Sequence, residues 1–181
     1  LPRSKKIFFL RVEASKTTCY VGEPVMVVYK AYSRLNAHSQ VIKRPSLAGF
    51  SVMEMVDIYD SRPEIELFKG VAYYTNIIRK VQLFPLQEGS FNLDPAEVES
   101  MVRFIRRDGP AGSSPAVQYR TLLKTDPLPV AVKPLPRAGQ PPAYKGAVGN
   151  YTLNIRVTPS TTIRQGDLVT IQLIIQGKGN L

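Results

Sequence analysis

A stretch rich in proline and glycine, residues 134–151, divides the chain into two unequal parts. It reads PLPRAGQPPAYKGAVGNY and shows no apolar alternation before Tyr151. Proline fixes φ and removes an amide donor, and glycine resists being held in one conformation, so the stretch cannot be a central strand or a helix. We interpret it as an ordered connector, stiffened by its prolines, and we place a first module at 1–136, the connector at 137–150 and the start of a second module at 151–181.

Apolar and polar residues alternate with a period of two along most of the first module, a pattern typical of half-buried β-strands. The alternation predicts strands at residues 7–14, 25–33, 50–56, 71–86, 91–93, 96–104, 117–125 and 128–133. We expect loops at 34–45, around His38, and at 57–70, and a hairpin tip at 107–115. Short strands separated by turn signals, with no convincing helix, predict a β-sandwich or barrel.

A repeat links the two modules. Two segments share the same order of features: a strand, a threonine pair, a glycine-acid turn and a second strand. The first is VEASKTTCYVGEPV, which begins at Val12, and the second is VTPSTTIRQGDLV, which begins at Val157. Val12 and Val157 lie 145 residues apart, and Gly22 and Gly166 lie 144 apart, so one single-residue gap aligns the segments. The second module therefore begins as the first does. Because an isolated strand pair is only marginally stable, we expect the second module to be incomplete here and to continue in a longer natural chain.

The charge balance is strongly basic, with 24 lysines and arginines against 14 acidic residues and a formal net charge of +10. The densest basic groups, at 3–6 and 103–107, are modest, and we therefore expect a solvated basic surface and no nucleic-acid partner. Cys19 is the only cysteine, so no internal disulfide can form. The cysteine count therefore does not distinguish a periplasmic protein from a cytosolic one. Its strand-like setting predicts a buried structural thiol.

Catalytic and metal-binding motifs are missing from the sequence. One histidine, His38, and one cysteine can supply neither a Ser-His-Asp triad with its usual elbow nor a zinc site of the usual kind. The GKGN stretch at 177–180 lacks the spacing of a phosphate-binding loop, and no spacing among the glutamates picks out an acid–base pair. We predict a protein that is not an enzyme and that holds no cofactor and no metal.

Several tyrosines invite a second interpretation, a stacking platform for sugars or single-stranded nucleic acid. The candidates are Tyr73, Tyr74, Tyr119, Tyr144 and Tyr151. The simpler interpretation is that tyrosine favours strands and packs its ring while its hydroxyl reaches water.

The segment GQPPAYKGAVGNYTL resembles the joint between the first two extracytoplasmic domains of the BatD family, the bacterial oxygen tolerance or aerotolerance proteins. The family pattern G-x-P-x-x-F/Y-x-G-A-V-G-x-F/Y is matched by Gly139, Pro141, Tyr144, Gly146, Ala147, Val148, Gly149 and Tyr151. Further matches lie at Tyr20–Glu23, at Leu83–Pro85 followed by Gly89, at Pro129–Val130 with Lys133–Pro136, and at Gly177-x-Gly179-Asn180-Leu181. Residues 107–115 and the short acidic loop before them match no part of the family pattern.

The resemblance implies tandem immunoglobulin-like β-sandwich domains, the second of them incomplete here, in a longer protein with a signal peptide and a membrane span. It implies a place on the periplasmic side of the bacterial inner membrane. The family's gene neighbours suggest a supporting role in a complex with von Willebrand A-domain membrane proteins and a MoxR-type ATPase. The pattern carries no catalytic residue, and we expect Tyr144, Gly146, Gly149 and Tyr151 to form a structural joint between domains. The alternative is a carbohydrate- or cell-surface-binding module of the same fold.

Overall fold

The computed structural model describes residues 7–35, 37–55, 63–105, 116–159 and 162–180. Every regular element within these ranges is a β-strand, which confirms the all-β prediction. The strands are β1 Phe8–Ala14, β2 Thr18–Tyr20, β3 Val25–Ser33, β4 Ala37–Lys43, β5 Phe50–Glu54, β6 Glu64–Phe68, β7 Val71–Pro85, β8 Gly89–Leu93, β9 Glu97–Ile105, β10 Ala116–Lys124, β11 Leu128–Lys133, β12 Val148–Thr158 and β13 Thr170–Asn180.

The strands form four sheets. The main sheet has the order β1-β3-β7-β5, and β6 also pairs with β7. β3 pairs along one edge of β7, so β6, which pairs with the first residues of β7, and β5, which pairs with the last, both lie along the other edge. Two three-stranded sheets have the orders β2-β11-β8 and β10-β9-β4, and β12 and β13 pair only with each other among the described strands.

The core is built by the main sheet and both three-stranded sheets, in a sandwich-like arrangement. Alternate residues of β3 point inward, and Val25, Val27 and Tyr29 are fully buried. They belong to one cluster with Val98 of β9 and Val130 of β11. This burial of alternate apolar side chains is what the period of two predicted.

A bulge at Ile78 reverses the facing of β7. Tyr29 pairs with Arg79 but Lys30 pairs with Ile77, which leaves Ile78 as the extra residue on β7. Since directly opposed residues share a face of the sheet, the core-facing positions of β7 shift by one residue at this point. Beyond the bulge, Tyr73 therefore faces the outside of the main sheet although it is buried.

Two predicted loops contain strands, so the prediction of loop was wrong there. Within 34–45, β4 pairs with β9, and Val41 packs against the core. The hydroxyl groups of Ser39 on β4 and Ser100 on β9 are 3.0 Å apart. Within 57–70, β6 forms a hairpin with β7. Both strands are held by pairing with a partner strand. β4 shows little apolar alternation of its own, whereas β6 alternates Ile65 and Leu67 with glutamates and leaves both apolar side chains exposed. The predicted hairpin tip at 107–115 lies outside the described residues.

The connector contains turns and no strand between β11 and Val148. Its backbone is held by a hydrogen bond from the Gln140 amide to the Arg137 carbonyl, at 3.3 Å, and by one from the Tyr144 amide to the Pro141 carbonyl, at 3.0 Å. The strand that follows begins at Val148, three residues before the predicted start, because the pairing with β13 extends back to that residue.

Candidate functional site

Three glycines surround the ring of Tyr151 at the base of the β12–β13 hairpin. A Cβ atom on Gly149 would lie 2.8 Å from Tyr151 Cε2, one on Gly177 would lie 2.6 Å from Cδ1, and one on Gly179 would lie 2.0 Å from the hydroxyl oxygen. The three glycines and Tyr151 occupy the same face of the strand pair, because Gly149 is opposite Gly179 and Tyr151 is opposite Gly177. Glycine is required here for close approach of an aromatic ring to the backbone.

Asn180 ties the end of β13 to the connector. Its Oδ1 accepts a hydrogen bond from the Val148 amide, and its Nδ2 donates to the Gly146 carbonyl at 3.2 Å. Its backbone carbonyl accepts a hydrogen bond from the Tyr151 hydroxyl at 2.8 Å. These bonds connect Gly146, Val148, Tyr151 and Asn180, and we call this cluster of four residues the joint.

The first module touches the joint through the turn between β2 and β3. A Cβ on Gly22 would lie 2.6 Å from Asn180 Nδ2 and 3.4 Å from a methyl group of Val148. Gly22 has a φ of +74°, a conformation in which glycine is favoured for a second reason. The hairpin base therefore sits directly against the sandwich at this glycine.

Of the predicted joint residues, Gly146, Gly149 and Tyr151 lie together around Asn180 and the tyrosine ring. Tyr144 is half-buried and forms a backbone turn with Pro141. Sequence reasoning matched Gly177, Gly179 and Asn180 to the family pattern but assigned them no part in the joint. The signal was their alternation, since every second residue at the end of β13 is a glycine where a β-branched residue is expected.

The apolar face of the hairpin, continuing from Tyr151, is exposed. Its side chains form three cross-strand pairs, namely Leu153 with Ile175, Ile155 with Leu173, and Val157 with Ile171. All of these side chains are exposed. We call this surface the hairpin face. A contiguous ladder of exposed aliphatic pairs is unusual on the outer face of a sheet.

The turn that precedes the second strand has the same structure in both modules. The Glu23 amide donates to the Tyr20 carbonyl at 3.0 Å, and the Asp167 amide donates to the Arg164 carbonyl at 3.1 Å. In each turn the acidic side chain also accepts a hydrogen bond from the first residue's amide, at 2.8 Å for Glu23 and 2.7 Å for Asp167. The intervening glycines, Gly22 and Gly166, both have positive φ. The repeated turn thus has the same hydrogen bonds in both modules.

A cluster of four aromatic side chains lies on the outer face of the main sheet. It consists of Phe9 from β1, Tyr32 from β3, Phe68 from β6 and Tyr73 from β7, and we call it the aromatic face. The Phe9 and Tyr32 rings are stacked with centroids 4.7 Å apart, and Phe68 lies 5.1 Å from Phe9. The 68–71 hairpin turn places Phe68 over the ring of Phe9 although the two strands are not neighbours.

Polar groups beside the aromatic face are paired. Lys30 donates to one carboxylate oxygen of Glu66 at 2.6 Å, and the Tyr32 hydroxyl donates to the other at 3.1 Å. The bond from Lys30 lowers the pKa of the Glu66 carboxyl. Burial, aided by the nearby Glu13 and Glu66 carboxylates, raises the pKa of Tyr32 to about 12. At neutral pH the network therefore holds a charged carboxylate and a neutral phenol.

The structure does not gather the tyrosines that suggested a platform. Tyr73 is buried in the aromatic face, Tyr74 is exposed, and Tyr144 and Tyr151 lie in and after the connector. The side chain of Tyr119 is outside the described residues, as are those of His38 and the two denser basic groups.

Cys19 is buried, as predicted, and burial raises the pKa of its thiol. Among the described residues, no three histidine, cysteine, aspartate or glutamate side chains come together as a metal site would require. Nor does any helix within those ranges have the length and apolar character needed to span a membrane.

The fold and the joint define an all-β, sandwich-like protein with an additional strand pair seated against one of its turns. Comparison with known proteins adds no relative: no family model, no curated protein and no solved structure matches the chain.

Proposed function

We propose that the chain is the N-terminal extracytoplasmic part of a BatD-like protein on the periplasmic side of the bacterial inner membrane, where it binds other proteins and catalyses no reaction. The observation that carries the proposal is the joint. Among the residues that resemble the family pattern, Val148 and Asn180 contact Gly22 of the sandwich. Gly146, Tyr151 and the glycines at 149, 177 and 179 hold the hairpin base around Asn180 and the tyrosine ring. A fixed angle between two β-modules is what a scaffold for other proteins needs.

The hairpin face supports a tandem arrangement of immunoglobulin-like domains. In the first module, the strands that match β12 and β13 bury their apolar face under β2, β8, β9 and β11. Leaving the equivalent aliphatic ladder in water costs about 25 cal/mol per Å² of apolar surface. We therefore propose that β12 and β13 open a second sandwich, and that its remaining strands follow in the natural chain and cover the hairpin face.

The family resemblance supplies the partners in this proposal. They are von Willebrand A-domain membrane proteins, acting with a MoxR-type ATPase, and the membrane is reached through a segment outside this chain. The dispersed positive charge does not suggest nucleic acid. Edge strands of the sandwich, such as β1 and β5 in the main sheet, offer backbone groups to a partner strand.

Co-purification tests this proposal. A tagged full-length protein, solubilised from native membranes, should bring down A-domain membrane proteins. Gly149→Val should reduce the recovery, because a Cβ at that position would lie 2.3 Å from the Lys178 carbonyl oxygen and displace the joint. Asn154→Val, on the polar and exposed side of the same strand, is the matched control and should leave recovery unchanged. Absence of A-domain proteins from the wild-type eluate would refute the proposed partners.

The second candidate function is binding of a carbohydrate or cell surface, and the aromatic face is the observation in its favour. Against it, Phe9 and Tyr32 stack on each other with an interplanar angle of 2°, which covers one face of each ring. A glycan array probed with the tagged chain separates the two functions, since saturable glycan binding is expected only from the second.

A further inference from the structure

A groove of about 450 Å³ lies beside the aromatic face. Its lining comes from β1, through Phe9 and Arg11, and from the β6–β7 hairpin, through Phe68, Lys69 and Tyr73. The volume is in the range of pockets that bind small ligands. The groove shares no residue with β12, β13 or the joint.

The floor of the groove is apolar. The rings of Phe9, Phe68 and Tyr73 lie within 6.4 Å of one another, centroid to centroid, and pack at tilted or edge-on angles. The nearby Glu66 carboxylate is already bonded by Lys30 and Tyr32. The floor therefore favours an apolar side chain, preferably an aromatic one that adds another edge-to-face contact.

Two cations stand at the rim. The Arg11 guanidinium lies 5.2 Å and the Lys69 ammonium 5.6 Å from the centroid of the Phe68 ring. Arg11 forms an ion pair with Glu13, with a guanidinium nitrogen 3.1 Å from a carboxylate oxygen. Lys69 makes no ion pair with any residue in the described ranges. A carboxylate arriving next to the apolar floor would thus meet a positive rim on a chain with a net charge of +10.

Lys69 occupies an unfavourable backbone position. It has a φ of +51° and is followed by Gly70 at +74°, so the two form a two-residue hairpin turn with both residues left-handed. Asparagine or glycine is preferred at the first position of such a turn, and a lysine there is strained. A strained residue with its charge at a groove is a candidate for a binding role.

We propose that this groove binds an acidic peptide segment of a partner protein, with a large apolar side chain against Phe9, Phe68 and Tyr73 and flanking carboxylates at Lys69 and Arg11. The edge position of β1 in the main sheet gives such a segment a strand beside which to lie. The site depends only on the first module and stands whether or not the A-domain partners are correct.

Titration with three short peptides, followed by NMR of the ¹⁵N-labelled chain, tests the proposal. The probes are acetyl-Glu-Phe-Glu-amide, acetyl-Gln-Phe-Gln-amide and acetyl-Glu-Ala-Glu-amide. The first should shift the amide signals of β1 and of the 68–73 segment saturably and bind about fivefold more tightly than either of the other two. Equal affinity for the glutamate and glutamine peptides, or no saturable shift up to roughly 10 mM, would overturn the proposal. So would shifts of these signals by cellotetraose in place of the peptides.

Lys69→Asn is the decisive variant because it separates binding from folding. Asparagine suits the turn, so the melting temperature should rise, while the affinity for acetyl-Glu-Phe-Glu-amide should fall by about fivefold. Leu67→Ser, an exposed change on the other face of β6, is the control and should alter neither affinity nor site of binding. An unchanged affinity in Lys69→Asn would show that the lysine is merely a solvated surface charge.

Discussion

The β1–β3 unit and the β12–β13 unit share a sequence pattern and a turn but differ in what covers them. Val27 of the first unit is 0% exposed, and its counterpart Ile171 in the second is 64% exposed. Cys19 is 3% exposed and its counterpart Ile163 is 49% exposed. Alternation therefore decides which face of a strand pair is apolar, but other strands decide whether that face is buried.

The cover of the first unit comes from far along the chain. β2 pairs in parallel with β11, through Cys19 and Val132, and β11 in turn pairs with β8. In the second unit, residues 162–164, which match β2, form no strand in the described part of the chain. In the described part of the chain, the second unit therefore has no strands equivalent to β2, β8, β9 and β11, which cover the first unit.

The two units also differ in the register of their strand pairing, but the difference leaves the same side chains on the apolar face. Val12 pairs with Tyr29, whereas Val157 pairs with Ile171, the counterpart of Val27. The register thus differs by two residues. Because the side-chain period of a strand is two, a shift of two leaves the same side chains on the same face, whereas a shift of one would have reversed them.

The largest expected effect comes from placing a charge on the matched positions. Val27→Asp should destabilise the first module by more than about 4 kcal/mol, because it buries an unpaired carboxylate. In residues 1–181, Ile171→Asp should change the free energy of unfolding by less than about 0.5 kcal/mol, because the side chain at this position is exposed to water. Urea unfolding followed by far-ultraviolet circular dichroism measures both, and similar losses in the two variants would contradict the comparison.

A smaller effect is expected at the joint. In Gly177→Ala, the new Cβ would lie 2.1 Å from the Asn150 carbonyl oxygen and 2.6 Å from the Tyr151 ring, so the hairpin base must shift. We expect a loss of about 1–3 kcal/mol in local stability, seen as faster hydrogen exchange of β12 and β13 amides. Exchange in β3 should be unchanged, and unchanged exchange in the hairpin would argue against a seated joint.

The smallest effect is expected at the repeated turns. The hydrogen bond from Lys16 lowers the pKa of the Glu23 carboxyl, so its charged form stabilises the fold. That stability is present above the unfolded-state pKa, about 4.3, and is lost as the pH falls through the lower folded-state value. Glu23→Gln should cost about 1 kcal/mol at pH 7 and flatten the acid limb of the stability profile.

Asp167→Asn is the matched change at the second turn and should have no effect on the stability of the first module. Chemical denaturation at several pH values from neutral to acid distinguishes the two variants. An acid limb in Glu23→Gln as steep as that of the wild type would refute the assignment.

Strands with their own alternation, such as β3, β7 and β9, were predictable because the pattern is local. β4 was not, since its strand structure comes from pairing with β9. β6 was missed for another reason: Ile65 and Leu67 do alternate with glutamates, but they lie in an acidic stretch that contains Pro63 and that favoured a loop. The aromatic face could not be predicted because the bulge at Ile78 changes which β7 side chains share a face with Phe9 and Tyr32. The family resemblance singled out Gly146, Gly149 and Tyr151, which lie near Asn180. Asn180 itself was assigned no role because its hydrogen bonds reach residues 32 and 34 positions away.

The most direct test of the account is the accessibility of the hairpin face in two lengths of chain. A cysteine is introduced as Leu173→Cys in a Cys19→Ala background, both in residues 1–181 and in the longer chain that the proposed second sandwich requires. The account predicts rapid reaction with a thiol reagent in residues 1–181 and strong protection in the longer protein, where further strands cover the face. Equally rapid reaction in both would contradict it.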